Sequence, residues 1–362
     1  MSNMNDMSSL RTPVCDLLGC RYPIIQTAMG YVAGADLVAG TTNAGGFGFL
    51  AGATIAADKI EDEILKVKRL TDDQPFGLNF HMFQPNAQQL LDLAVKYRLR
   101  AVSYGRGPDK KVIGRLRDAG IVCMPTVGAL KHAQKAIEMG ANVITVQGGE
   151  GGGHTGSVPT TVLLPQVVDA VSVPVVAAGG FYDGRGLLAA LAYGASGIAM
   201  GTRFLMTSDS KVPDVTLQRY LATKDAEKIA VSYLVDGMPQ RMIPNEYLAM
   251  LQKASPVKRL RIALGLALQW KSETGMTTAQ AVSIFMKALR EDSSSVAQTV
   301  MAANAPMLLQ RSMVHGDPAD GVMSAGQVAS LIQKLDSCET VISGIVKQAL
   351  ERRSAINQLT TV

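Results

Sequence analysis

The chain has 362 residues, 47% apolar, 18% charged and only 5% aromatic, with 35 glycines. That balance excludes a disordered chain and allows a core large enough to need no covalent staples. The net charge of +5 is scattered rather than gathered into a basic stripe, which argues against nucleic-acid binding and leaves a mild preference for anionic small molecules.

No apolar run approaches the ~18 residues of a membrane span, and Met1–Thr12 is polar with no signal core, so a cytoplasmic protein is expected. Along the first 205 residues, short apolar or β-branched runs alternate with longer amphipathic stretches, the rhythm of βα units. The expected strands are Ile24–Gln26, Phe47–Leu50, Phe76–Asn79, Ala101–Ser103, Val122–Thr126, Val143–Val146, Val175–Ala178 and Gly197–Met200. Helices are expected at Asp58–Leu70, Gln88–Lys96, Lys110–Ala119, Leu130–Glu138, Leu163–Ala170 and Gly186–Ala192. This pattern predicts an α/β fold, a (β/α)₈ TIM barrel, with a doubly wound open sheet as the alternative. Polar and glycine residues sit just after many different strands, which favours the barrel, because its site draws on all the carboxyl ends.

From Met206 the rhythm changes to Lys/Asp-rich helices with an extended piece at Ser232–Val235. The expected organisation is a barrel over 1–205, a mostly helical lid insertion over 206–305 covering the catalytic mouth, and C-terminal helices over 306–362 packing back on the barrel. Val322–Leu335 and Cys338–Leu350 are expected to be two of those helices.

Cys15, Cys20, Cys123 and Cys338 are too dispersed for a disulfide framework or a metal site, so free thiols and no metal are expected. Val175-Val-Ala-Ala-Gly-Gly-Phe-Tyr-Asp-Gly-Arg-Gly186 runs from a strand through a glycine turn into a helix, and Ile198-Ala-Met-Gly-Thr-Arg-Phe204 repeats the arrangement. Bare amides in such turns can approach phosphate oxygens, and loops after the seventh and eighth barrel strands commonly do so. Neither a Walker A sequence nor a strand-to-helix G-x-G-x-x-G is present, so a flavin mononucleotide (FMN) fits better than a P-loop or Rossmann ligand. Val146-Gln-Gly-Gly-Glu-Gly-Gly-Gly-His-Thr-Gly156 follows the sixth strand and carries His154, a candidate proton-transfer group. Glu150 reads as its orienting partner rather than the base.

These segments resemble the nitronate monooxygenase (2-nitropropane dioxygenase) family of FMN barrels, which includes related flavin reductases. The resemblance also covers Pro23-Ile-Ile-Gln-Thr-Ala-Met29, Asn43-Ala-Gly-Gly-Phe-Gly48, Gly77-Leu-Asn-Phe80 and Gly316-Asp-Pro-Ala-Asp-Gly-Val-Met-Ser-Ala-Gly-Gln327. It implies flavin contacts from Ala28, Met29, Asn79 and Gln147, phosphate contacts from Gly180, Gly201 and Thr202, and catalysis by His154. Gly153 and Gly179 join the cofactor set as neighbours in the same loops. The chain has Gly151 where the family commonly has alanine. Val235-Asp-Gly-Met-Pro-Gln-Arg241 is closer to members that act on CoA thioesters in steroid-ring breakdown.

Tyr31, His81, Glu150 and Tyr104 are candidate pocket residues, with Phe80 and Phe83 as further apolar lining. His132 reads as solvated, and His315 lies in the family-like tail. A purine-dehydrogenase barrel needs a nucleophilic cysteine in the loop after the sixth strand, which has none. Three functions stay open: nitronate oxidation by O₂ through flavin, reduction or dehydrogenation of an acyl-CoA thioester with NAD(P)H as possible co-substrate, and a non-enzymatic flavin carrier. The expected partner is a small-molecule substrate, with the chain a monomer or homodimer.

Overall fold

The computed structural model describes residues 10–82, 84, 86–105, 107–273, 277–278 and 304–360; Phe83 and residues 274–276 and 279–303 of the expected insertion lie outside them. In chain order the strands are β1 (Ile24–Gln26), β2 (Phe47–Leu50), β3 (Gly77–Asn79), β4 (Ala101–Tyr104), β5 (Val122–Val127), β6 (Ile144–Gln147), β7 (Gly153–His154), β8 (Val175–Ala178) and β9 (Gly197–Met200). All but β7 are parallel and close into a barrel in the order β1-β2-β3-β4-β5-β6-β8-β9. The closing pair sets Ile25 beside Ala199. The (β/α)₈ expectation holds, and each expected strand lies within a residue of its observed ends.

Strand alternation sorts the core into two layers. Ile25, Phe47, Phe49, Ala101, Met124, Val176 and Ala199 pack in the barrel interior with Val14, Cys15 and Leu18 of α1 (Pro13–Leu18). The helix α1 lies at the amino ends of the strands, where the Arg100 guanidinium donates to the Leu17 carbonyl. Position 77 tolerates only glycine, because a Cβ there would meet the Phe49 ring at 2.3 Å. Leu50, Leu78, Phe80, Val102, Tyr104 and Cys123 face outward against α3 (Ile60–Leu70), α4 (Ala87–Lys96) and α5 (Lys110–Asp118), following α2 (Ala35–Asn43). Each fully buried aliphatic or aromatic side chain of this kind contributes roughly 1.5–3 kcal/mol.

The wall continues through α6 (Leu130–Met139), α7 (Thr160–Val168), α8 (Gly184–Ala192) and the short α9 (Thr202–Leu205).

Contacts divide the chain into two compact units, one of residues 1–151, 155–211 and 331–362, the other of residues 152–154 and 212–330. The second contains α10 (Asp214–Ala222), β10 (Ala230–Ser232), β11 (Gln240–Met242), α11 (Glu246–Lys253), α12 (Pro256–Glu273) and α13 (Asn304–Met313). Its antiparallel sheet runs β10-β11-β7, so β7 is a short excursion of the barrel chain into this unit. A Cβ on Gly152 would come within 2.5 Å of the Ala325 and Gly326 backbone, so only glycine allows the excursion. The unit's core gathers Val235, Met242, Tyr247, Leu251, Leu266 and Leu308.

Val322–Leu335 is not the expected helix. Its amides are engaged laterally: Val322 donates to the Leu308 carbonyl (3.0 Å), Ala325 donates to the Arg241 carbonyl (3.2 Å), and Ser324 bridges to Met242. Only a 3₁₀ turn, Gln327–Leu331, follows. The final helix, α14 (Cys338–Thr360), belongs to the barrel unit and packs on α8, where Gly184 donates to Gln348 Oε1 at 2.7 Å. Among the described residues no helix is long and apolar enough to cross a membrane.

Candidate active site

Parallel closure puts Gln26–Met29, Asn79, Gln147, Gly179–Gly180 and Gly201–Thr202 at the carboxyl ends of barrel strands, the face where such barrels assemble their sites. Ends of strands distant in sequence meet there. A Cβ on Gly201 would lie 3.1 Å from Thr27 Oγ1 and 3.4 Å from Met29 Sδ, and Ala28 packs half-buried against the interior cluster. Asn79 Nδ2 donates to the Ser103 carbonyl (3.0 Å) and reaches its hydroxyl (3.2 Å). Gln26 is fully buried and donates to the Phe49 carbonyl (3.2 Å), yet its Oε1 has no partner.

Gly179 and Gly180 adopt φ of +89° and +84°, a region costly for side chains. At Gly179 a Cβ would also lie 2.9 Å from the Gly148 carbonyl oxygen. Among the described residues, the amides of Gly180 and Gly201 donate to no protein acceptor, so each can meet an anionic oxygen. The helix end beside them is already capped: Asp183 accepts from the amides of Arg185 (3.1 Å) and Gly186 (3.2 Å), and Gln348 accepts from Gly184. The glycine turns, rather than the α8 terminus, therefore hold the free backbone donors at this face. Thr202 lies buried at the start of α9.

Glu150 braces this turn. Its carboxylate accepts from the Thr160 amide (3.0 and 3.2 Å) and hydroxyl (2.8 Å) at the start of α7, and the same hydroxyl lies 2.9 Å from the Gly179 carbonyl oxygen. Gly151 leaves space for Gln147: a methyl there would fall 2.7 Å from Gln147 Nε2, so the alanine common in the resembled family requires that side chain to move. Tyr31, with φ of +63°, follows β1 half-buried and donates its amide to Thr54 Oγ1 (2.9 Å). His81 follows β3 exposed, its amide bonded to Gln84 Oε1 (3.0 Å). Tyr104 does not line the mouth. It is 3% exposed in the outer layer, its ring 5.6 Å from that of Phe80, because its strand position points away from the barrel axis.

His154 and Gly153, at φ of +67°, form β7 in the second unit. His154 Nε2 lies 2.7 Å from Asp236 Oδ2, and its side chain keeps 53% of its accessible surface while that of Asp236 keeps only 2%. The register pairs His154 with Gln240, whose side-chain amide donates to Asp236 Oδ2. Asp236 Oδ1 accepts from the Met238 amide at 3.0 Å. Sequence reading missed Asp236 and Gln240. Their stretch stood out as unusual, but nothing in linear spacing connects position 236 to position 154.

All four cysteines are buried and free, and burial pushes the thiols of Cys123 and Cys338 up to about 11 and about 12, which removes them as nucleophiles near neutral pH. Among the described residues no cluster of three metal-ligating side chains occurs. His132 and His315 are exposed on the surface. In α12, Arg259 is tied to the end of α11 through the Leu251 (2.9 Å) and Gln252 (3.2 Å) carbonyls, while Lys258 and Arg261 are exposed.

The nitronate monooxygenase family profile matches residues 11–348. The chain is 46% identical over 353 residues to a (3aS,4S,5R,7aS)-5-hydroxy-7a-methyl-1-oxo-octahydro-1H-indene-4-carboxyl-CoA dehydrogenase of Rhodococcus jostii, covering 98% of this chain and 99% of that protein. It is 33% identical over 283 residues to a probable nitronate monooxygenase of Staphylococcus haemolyticus, covering 65% and 79%. Among solved structures, FabK from Thermotoga maritima matches with a TM-score of 0.76 at 28% identity, over 96% of this chain and 99% of that one. Nitroalkane oxidase from Streptomyces ansochromogenes matches at 0.72 and 26% identity, over 95% and 99%.

Proposed function

The chain belongs to the nitronate monooxygenase family of oxidoreductases, and from that premise we propose that it is an FMN-dependent dehydrogenase of a CoA thioester carrying a hydroxylated bicyclic ring. The observation that carries this reading is the near full-length similarity to the Rhodococcus dehydrogenase, which includes the second unit, whereas the nitronate monooxygenase relative matches two thirds of the chain.

The cradle fits a flavin phosphate: the unpaired amides of Gly180 and Gly201 suit its oxygens, with Thr202 beside them, and Ala28, Met29, Asn79 and Gln147 are the proposed ring contacts. When bound, FMN supplies a two-electron acceptor. His154 is the proposed base. The carbon next to a thioester carbonyl is a weak carbon acid, and a half-exposed imidazole anchored to a buried carboxylate can take its proton. The same chemistry applies to the α-carbon of a nitroalkane, so the family-level reading, nitronate oxidation, shares this base. Exposed Lys258 and Arg261 are the proposed contacts for the CoA diphosphate.

Protein reconstituted with FMN is mixed anaerobically with the hydroxylated bicyclic carboxyl-CoA thioester, with a short-chain nitronate, and with NADH or NADPH, and flavin absorbance is followed. Bleaching by the thioester is the expected result. Bleaching by the nitronate alone returns the enzyme to the oxidase reading, and bleaching by NADH or NADPH alone makes it a reductase. Protein that binds no FMN refutes the cofactor assignment.

A further inference from the structure

We propose that Asp236, supported by Gln240, is a positioning residue that fixes the tautomer of His154, an inference that rests on His154 being the base. The carboxylate is almost fully buried and receives a backbone amide, the Gln240 side chain and His154 Nε2, all within the second unit. The donors from Met238 and Gln240 satisfy the buried carboxylate oxygens. A carboxylate only accepts hydrogen bonds, so an imidazole that faces Asp236 through Nε2 carries its proton there, which makes Nδ1 the basic nitrogen of the ring. Gln240 cannot replace it. Its amide nitrogen lies 3.2 Å from His154 Nε2 and also donates to Asp236, so it orders the carboxylate rather than accepting the imidazole proton. The arrangement is set within the second unit, where β11 pairs with β7 through the Gln240–His154 register.

Asp236→Asn removes the charge while keeping the shape and the Met238 contact. Its side chain can present either an acceptor or an NH₂ to the imidazole, so the tautomer is no longer dictated. With the chain's four histidines labelled with ¹⁵N, and the His154 signals assigned through His154→Ala, the native imidazole is expected as the Nε2–H form. Asp236→Asn is expected to shift it toward Nδ1–H, and Asp236→Glu, which keeps the carboxylate, to retain the native form. With the bicyclic thioester or nitroethane as substrate, Asp236→Asn should lower kcat about 10²-fold with little change in KM, the lower end of the range for positioned acid–base catalysis. It should have no further effect when combined with His154→Ala. An unchanged tautomer in Asp236→Asn, or a double variant clearly slower than His154→Ala, overturns the inference. Full activity of His154→Ala instead removes the base assignment itself, so the two failures are distinguishable.

Discussion

Glu150→Ala tests whether the glycine loop is held by a charged brace. The substitution removes acceptors for the Thr160 amide at 3.0 Å and hydroxyl at 2.8 Å, and a negative charge at the start of α7. Hydrogen bonds to a charged group are worth ~1.5–3 kcal/mol when buried. Glu150 is half-buried, which reduces each to about 1 kcal/mol, and the helix-terminus charge adds ~0.3–1 kcal/mol. A loss of about 2.5 kcal/mol follows. For a folding unit of this size that lowers the melting temperature by about 5–10 °C. Glu150→Gln keeps an acceptor but loses the charge, so its drop is about half as large. Scanning calorimetry on the three proteins should order them native, Gln, Ala. A Glu150→Ala protein that melts within about 1 °C of native refutes the brace and leaves the loop to be ordered by its glycine packing alone.

Gly180→Ala places a side chain at φ +84° with no atom nearer than 3.6 Å, so the penalty is conformational, about 1–2 kcal/mol; relaxing that strain turns the amide away, so FMN titration should show up to roughly tenfold weaker binding, and unchanged affinity counts against a phosphate contact from this turn. The Arg219 guanidinium holds Glu246 down at about 2 from an ordinary 4.5. A depressed carboxylate stabilises the fold above about pH 4.5, and that contribution disappears as pH falls toward 2. Acid unfolding of Glu246→Gln should show less pH dependence across that window, and identical curves refute the pairing. Lys258→Glu with Arg261→Glu should weaken CoA-ester binding, with the difference from native shrinking at high salt, whereas salt-independent binding in both proteins counts against a charge contact.

The barrel was legible in the sequence because its signals are local. Strands such as Ile24–Gln26 and Val175–Ala178 are short apolar runs, and the glycines after β8 and β9 mark turns that local conformation requires. The glycine loop that carries His154 stood out for the same reason. Three features needed the tertiary structure. Tyr104 belongs to a strand buried on both faces, so hydrophobic alternation carries no sign for inside versus outside, and only closure of the barrel turned it away from the mouth. The Val322–Leu335 segment has a helix-like pattern, but its start is held extended, with Val322 and Ala325 bonded to the Leu308 and Arg241 carbonyls and Ser324 bridged to Met242. Asp236 meets His154 through the antiparallel register that sets Gln240 opposite it. Pairing between positions 82 residues apart leaves no periodic trace, because it depends on where the folded backbone brings two segments together rather than on the residues beside either one.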